Sequence, residues 1–419
     1  MHIKTANGRL QTMINKISFH TVITIISCFI IAALVYYAGS KYGPGITFDS
    51  INYVYAGHSL AEKGELLRPF QTPFIEWPPL YPLLIAMVSY VPGSILTNLF
   101  YFQILIAALT VALSCSLARK MIRNNILFVI ACLSLAFSTP LILVNHFIWS
   151  ESFFSILVVL QLQLFICYLQ KPSWQLYMLL VISGLLLCVQ RQVGAFFVAG
   201  GACILCIYPS SIPFSKKLII SLCYALLAAV LPLLLWWIRN YQLRGLLMND
   251  YRDTLFLTSF FSHLGIYHDI VTSWLLPDEL PIWLRVLLLY GLLFFLAFIY
   301  VYYRKSITHQ PVVAVLSILF WSYFVLLFLI SFIVTEQIDD RKLAPIYVPG
   351  MLLLFSLVDV YSRNKQPGRT HWVIYICLLW TIYPVTRALY NVHAWHQTAM
   401  PAELPQPVEE SFKDNLRFY

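Results

Sequence analysis

Apolar runs of about twenty residues recur along this chain from one end to the other. A run that long with few charges matches a hydrocarbon core of about 30 Å crossed as a helix. In lipid each backbone N–H and C=O must be bonded within its own segment, so the runs are predicted as helices. With 60% of residues hydrophobic and only 11% charged, no soluble core could hide this surface. The spans fall at residues 17–38, 96–118, 126–142, 150–169, 174–190, 193–208, 218–238, 283–303, 311–334, 343–360 and 371–389. The chain therefore reads as an all-α polytopic membrane protein of about 11 transmembrane helices. Residues 79–92 are too short to cross and carry Pro82 and Pro92, so they are expected to lie along the outer interface. The first run, long for a signal peptide, reads as an uncleaved anchor.

Charge orients the spans. With the N-terminus inside, the inner connections carry Lys4, Arg9, Lys16, Arg119, Lys120, Arg123, Lys171, Lys216, Lys217, Arg304, Lys305, Arg363, Lys365 and Arg369, opposed only by Asp359. The net charge of +9 is thus a topology signal, and no nucleic-acid partner is implied. All nine cysteines fall within spans, where thiols pack as small apolar groups, and the Cys203-x-x-Cys206 pair has no histidine or second pair beside it.

The long connections are outer ones, chiefly 39–95 and 239–282. In the first, Asp49 is placed as a helix N-cap, and Asn52, Tyr53, Ala56 and Leu60 follow at the spacing of one helix face up to Gly64. Trp77, Pro78 and Pro79 then open a shorter apolar helix, with Glu76 just before it. The second loop mixes aromatics, charges and histidines, is too apolar for a disordered linker, and is expected to fold as short helices over the membrane surface. Residues 1–389 read as one transmembrane domain including both loops, and 390–419 as a short outer tail.

Charged residues also mark the outer helix ends: Glu151, Arg191, Arg239, and Arg341 with Lys342. Singly, each reads as a helix-end or headgroup-level charge. Converging with Asp49 and Glu76 at one level, they suit a phosphate-bearing lipid whose leaving charge is held while a carboxylate takes a proton from an acceptor. In order and placement these residues resemble the GT-C superfamily of integral-membrane glycosyltransferases, in the branch similar to bacterial protein O-mannosyltransferases and lipopolysaccharide-modifying enzymes. Asp49 with Tyr53, Ala56 and Gly64 looks like the opening of that family's first outer loop, and Glu76-Trp77-Pro78-Pro79-Leu80-Tyr81 like its acidic Pro-Pro-Leu-Tyr run. Ser150-Glu151, Arg191 with Gly194, Arg239-Asn240, and Arg341, Leu343, Pro345 and Tyr347 are similar to its later marks. The likeness spans residues 17–360.

The resemblance implies a sugar on a polyprenyl phosphate as donor, a glycolipid, polysaccharide or protein acceptor, inversion at the anomeric carbon, and a site outside the bacterial inner membrane. It implies Asp49 as general base, Glu76 and Glu151 lining the pocket, Arg191, Arg239 and Arg341 on the phosphate, and Tyr53, Tyr81, Lys342 and Tyr347 as further substrate contacts. Many members have two adjacent acidic residues where this chain has Asp49-Ser50, which weakens the case for a divalent metal. His146, His263 and His268 remain candidate ligands with Glu76 or Glu151, whereas His58 reads as surface. No large soluble domain follows the last span, so acceptor recognition is expected to rest on the loops and tail. A glycan ligase or polymerase, or a lipid-linked sugar transporter, are the other readings. A ligase would place its decisive charges in a late loop, and a transporter would show inverted repeats or helices broken near the midplane.

Overall fold

The computed structural model describes residues 18–208, 212–245, 260–303, 311–331, 338–364 and 367–398. Lys4, Arg9, Lys16, Arg304, Lys305, Lys365, the middle of the second long loop and the tail beyond 398 lie outside them. Among the described residues nine helices are long and apolar enough to cross a membrane. Two shorter apolar helices, Trp174–Gln190 and Gly194–Ile207, occupy the fifth and sixth predicted spans. The chain is an all-helical, multi-spanning membrane protein.

Four of the long helices are interrupted, each beside a proline; one of them, Asp340–Asn364, tightens to a 3₁₀ stretch at Ala344–Ile346 around Pro345. Asn125–Ala136 and Thr139–His146 meet at Phe137, where the Ser138 hydroxyl caps the second helix by accepting from the Leu141 N–H at 3.2 Å and Pro140 fits its first turn. Pro232 has no N–H to offer the carbonyl of residue 228, and a wide π turn at Leu226–Val230 absorbs that mismatch. Pro384 follows the break at Thr381, and the last helix runs on to Gln397, past the 389 boundary that hydropathy draws. Its end is amphipathic and is tied to the first helix, His396 Nδ1 lying 2.9 Å from the carbonyl of Tyr37.

The bundle core extends through nearly every span, but the first loop has a core of its own. Tyr53, Val54, Ala56, Phe74, Tyr81 and Ile85 pack there against Ile95, Leu96 and Leu99, against Ile148 and against Trp236. The loop is therefore seated on the heads of three spanning helices. The helix Leu80–Ser89 has ten residues, about 15 Å at a rise of about 1.5 Å each, half of what a crossing needs. A two-stranded hairpin, Leu67–Arg68 with Thr72–Pro73, is the one sheet element among the described residues.

Candidate active site

The loop reaches its seat through Gly45. Its N–H donates to the carbonyl of His146 at 2.9 Å, and its own carbonyl accepts from Ile148 at 3.0 Å. A Cβ at Gly45 would lie 2.4 Å from the Phe147 ring, so only glycine permits this approach. Two residues on, Thr47 caps the helix Phe48–Lys63: its backbone N–H donates to Ser50 Oγ at 3.0 Å, and Trp149 Nε1 donates to its hydroxyl at 2.8 Å. Asp49 is accordingly not the N-cap that the sequence pattern suggests but a residue of the first turn. Because Thr47 and Ser50 satisfy the helix start, the Asp49 carboxylate is left to face outward from it. Gly64 ends this helix at φ 73°, as predicted.

Asp49 meets Arg341, whose Nη1 lies 2.5 Å from Asp49 Oδ2. Arg341 Nε is 3.3 Å from Glu151 Oε1 and 3.5 Å from Asp339 Oδ2, and its guanidinium lies 5.0 Å over the Trp149 ring. Glu151 sits in the first turn of the helix Ser150–Gln170 and is also ion-paired with Arg191, which ends the helix Trp174–Gln190. Ser150 ties these groups together: its hydroxyl accepts from Tyr53 at 3.1 Å and from Arg191 at 3.3 Å and donates to Glu151 Oε2 at 3.2 Å. Asp339 is 49% exposed and stands at the solvent edge; inside it, two carboxylates, Asp49 and Glu151, and two guanidiniums, Arg341 and Arg191, form a neutral inner cluster, a balance that lets these charges be buried together.

The members of the cluster are not equally accessible. The Glu151 side chain is 2% exposed, whereas Asp49 is 22%, Arg341 18% and Arg191 16% exposed. Glu151 is therefore a fixed counter-charge, and Asp49 is the carboxylate of the pair that is open to solvent. Burial pushes the Asp49 carboxyl above the usual aspartate range, and the nearby Arg341 partly opposes this. Burial also holds the Tyr53 hydroxyl well above the usual tyrosine range, so it remains a hydrogen-bond donor.

The other predicted residues lie around this cluster rather than in it. Glu76 is paired with Arg68, a partner that sequence reasoning missed, and Glu76 Oε2 accepts from the Ile75 N–H at 3.2 Å. The hairpin carries Arg68 to it through a turn with Phe70 at φ 65° and Gln71 at φ 59°. A non-glycine residue in this left-handed region costs about 1 kcal/mol or more. Gln71 offsets part of that cost by donating to Tyr55 at 2.5 Å and accepting from Lys63 at 3.1 Å. Arg239 donates to the carbonyl of Phe74 at 2.9 Å and lies over Trp236, and Asn240 donates to the carbonyl of Ile75 at 3.0 Å. This pair fastens the backbone just before Glu76. Tyr81 is buried edge-on to Tyr53 at 5.0 Å. Lys342 follows Arg341, and its carbonyl accepts from Tyr323 at 2.7 Å. Tyr347 is buried, donating to the carbonyl of Ser134 at 3.1 Å.

Among the described residues the candidate metal ligands are not brought together. His146 stacks on Trp395, His263 lies 3.2 Å from Ser331 Oγ, and His268 contacts Asp269. The three carboxylates are each paired with a guanidinium, and among the described residues no three His, Cys, Asp or Glu side chains are grouped to hold an ion.

No known family profile matches the sequence, nor does any curated protein. Solved structures do match the fold. ArnT from Cupriavidus metallidurans superposes with a TM-score of 0.58 in the apo state and 0.56 bound to undecaprenyl phosphate, each at 12% identity. The matches cover 85% and 84% of this chain, and in both cases the chain spans 62% of the ArnT length. Arabinosyltransferase EmbB from Mycobacterium smegmatis is matched more weakly, at a TM-score of 0.44 and 13% identity, over 91% of this chain and 41% of that one. The chain is thus similar in fold to ArnT.

Proposed function

We propose that the protein is an inverting glycosyltransferase that moves a sugar from a polyprenyl-phosphate donor to an acceptor hydroxyl on the outer face of a bacterial inner membrane. The observation that carries this reading is the neutral cluster of Asp49, Arg341, Glu151 and Arg191, which places a reachable carboxylate against a guanidinium at the loop end of the bundle. A fold shared with ArnT, which binds undecaprenyl phosphate, supports it. Eleven crossings with the N-terminus inside would put that end outside.

The donor phosphate engages Arg341, and Asp49 is displaced from it toward the acceptor. Asp49 takes the hydroxyl proton as the acceptor oxygen bonds to the anomeric carbon. The carbon–oxygen bond to phosphate breaks, its electron pair leaves on the phosphate, and Arg341 with Arg191 offsets that charge. Glu151 keeps both guanidiniums oriented, and Glu76, Tyr81 and the Arg239 clasp shape the adjoining wall. Lys342 and Tyr347 support the Arg341 segment.

Asp49→Asn tests this directly. The variant should insert and bind the lipid-linked donor at least as well as wild type, because one of the carboxylates competing for Arg341 is neutralised. Transfer of radiolabelled sugar to a membrane-extract acceptor should fall by about 10² to 10⁴. Undiminished transfer would defeat the role of Asp49, and a wild-type protein that moves labelled lipid across a bilayer without transferring sugar would favour a transporter.

A further inference from the structure

We propose that Trp274, anchored by the last two helices, is a positioning residue that aims Arg341 through Asp340; its consequence for turnover rests on the function proposed above. Arg341 lies in the first turn, Asp340–Leu343, of the span Asp340–Asn364, and a 3₁₀ stretch at Ala344–Ile346 separates that turn from the rest of the helix. A terminal turn joined to its helix through a 3₁₀ stretch frays readily, so contacts from outside fix its orientation. Asp339 Oδ1 caps it by accepting from the Lys342 N–H at 3.0 Å, and Trp274 Nε1 donates to Asp340 Oδ1 at 3.2 Å. The Trp274 ring is 5% exposed and packs edge-on against Tyr347, 5.4 Å away at 76°, on the other side of the same segment.

Trp274 is held in turn. It lies in the last turn of the helix Phe260–Leu275, where carbonyls have no intrahelical partner. Tyr383 donates to the carbonyl of Ser273 at 2.7 Å, Arg387 donates to that same carbonyl, and Trp380 Nε1 donates to the carbonyl of Leu275 at 2.7 Å. Arg387 also donates to Ser273 Oγ at 3.2 Å. Four bonds from the C-terminal helices therefore flank the indole that grips Asp340. Arg341 must bridge Asp49 and Glu151 at once, so a small rotation of its turn would break one of the two contacts.

Trp274→Phe keeps the ring against Tyr347 and removes only the N–H. It should lower kcat/KM for the lipid-linked donor by about 10- to 100-fold, the scale of a misplacement of about 1 Å. The acid limb of the kcat/KM profile should move to higher pH, because burial of Asp49 would be less opposed by Arg341; Glu151 and Arg191, the other charges facing Asp49, are untouched. Asp340→Ala should do the same, Asp340→Asn, which keeps an acceptor for the indole, should not, and Trp274→Phe with Asp340→Ala should be no worse than either alone. Amide hydrogen exchange at residues 341–347 should rise in Trp274→Phe and Asp340→Ala but not in Asp340→Asn, a readout that needs no turnover. If wild type transfers no sugar, the proposed function falls and the exchange result alone decides the latch. Unchanged exchange, or wild-type kcat/KM in Trp274→Phe beside an active wild type, would overturn it.

Discussion

Replacing Arg191 by methionine should destabilise the site by removing one of the two cations that Glu151 is buried with, and replacing both should not. The cluster holds two carboxylates and two guanidiniums, so Arg191→Met leaves it with a net charge of −1 around a carboxylate that is only 2% exposed. Two unit charges about 3 Å apart attract by about 5 kcal/mol at an effective dielectric constant of about 20. Recovering the solvation of Arg191 offsets part of this, which leaves a loss near the low end of the about 3–5 kcal/mol found for broken buried pairs. Glu151→Leu leaves a net +1 and should cost about as much. In Glu151→Leu with Arg191→Met the balance returns to zero, Asp49 keeps Arg341 at 2.5 Å, and two apolar side chains of similar bulk fill the space. That protein should lie within about 1 kcal/mol of wild type, so the coupling between the two sites exceeds about 3 kcal/mol. SDS titration of the detergent-solubilised proteins measures all four stabilities. A double variant as unstable as the sum of the singles would refute the neutral-cluster argument. Recovered stability should not bring back full sugar transfer, since Arg191, one of the two cations proposed to face the phosphate, is gone.

Arg341→Lys keeps a charge but cannot span Asp49 and Glu151 together, so donor affinity measured with labelled lipid should fall by about 10- to 100-fold, the worth of one charge-assisted hydrogen bond; full affinity would assign the cation to the headgroup interface. Because burial raises the Asp49 pKa and the base must be ionised, transfer should be lost as pH falls through a value above the ordinary aspartate pKa of about 3.9, and an acid limb at or below it would contradict that assignment. In a background without the nine native cysteines, an impermeant thiol reagent added to intact cells should label Glu65→Cys and Asn415→Cys and spare Arg123→Cys; labelling at 123 would sink the eleven-crossing topology.

Hydropathy made the spanning helices legible because lipid leaves the backbone one local solution, and the Phe48–Lys63 helix was legible from its face spacing and Gly64. What local pattern could not reveal was which polar group satisfies which. Asp49 looks like a cap until Thr47 is seen bonded to Trp149, 102 residues away. Arg68 sits in a polar run with no period, and its approach to Glu76 depends on two non-glycine residues in the left-handed region that no turn motif announces. The Trp274–Asp340 contact joins the second long loop to the Arg341 segment across 66 residues. Breaks at prolines were visible as residues, but the sequence did not show that the last helix continues past 389, because its end is amphipathic rather than uniformly apolar.

Asp49 and Glu151 differ in what they can do because they differ in burial. Glu151 has ion pairs to both guanidiniums and almost no solvent contact, so moving it would expose two buried cations at once. Asp49 holds Arg341 through a single edge and stands on a loop helix rather than a spanning one. A phosphate carries charge and several acceptor oxygens and can replace one carboxylate on a guanidinium without disturbing the other. In the mechanism proposed above the weaker-seated partner, Asp49, is the one displaced, and burial makes its carboxylate the more basic for that role. On that mechanism the arrangement that keeps the cluster neutral frees a base only when an anion has arrived to take its place, which couples proton removal to the presence of a leaving group.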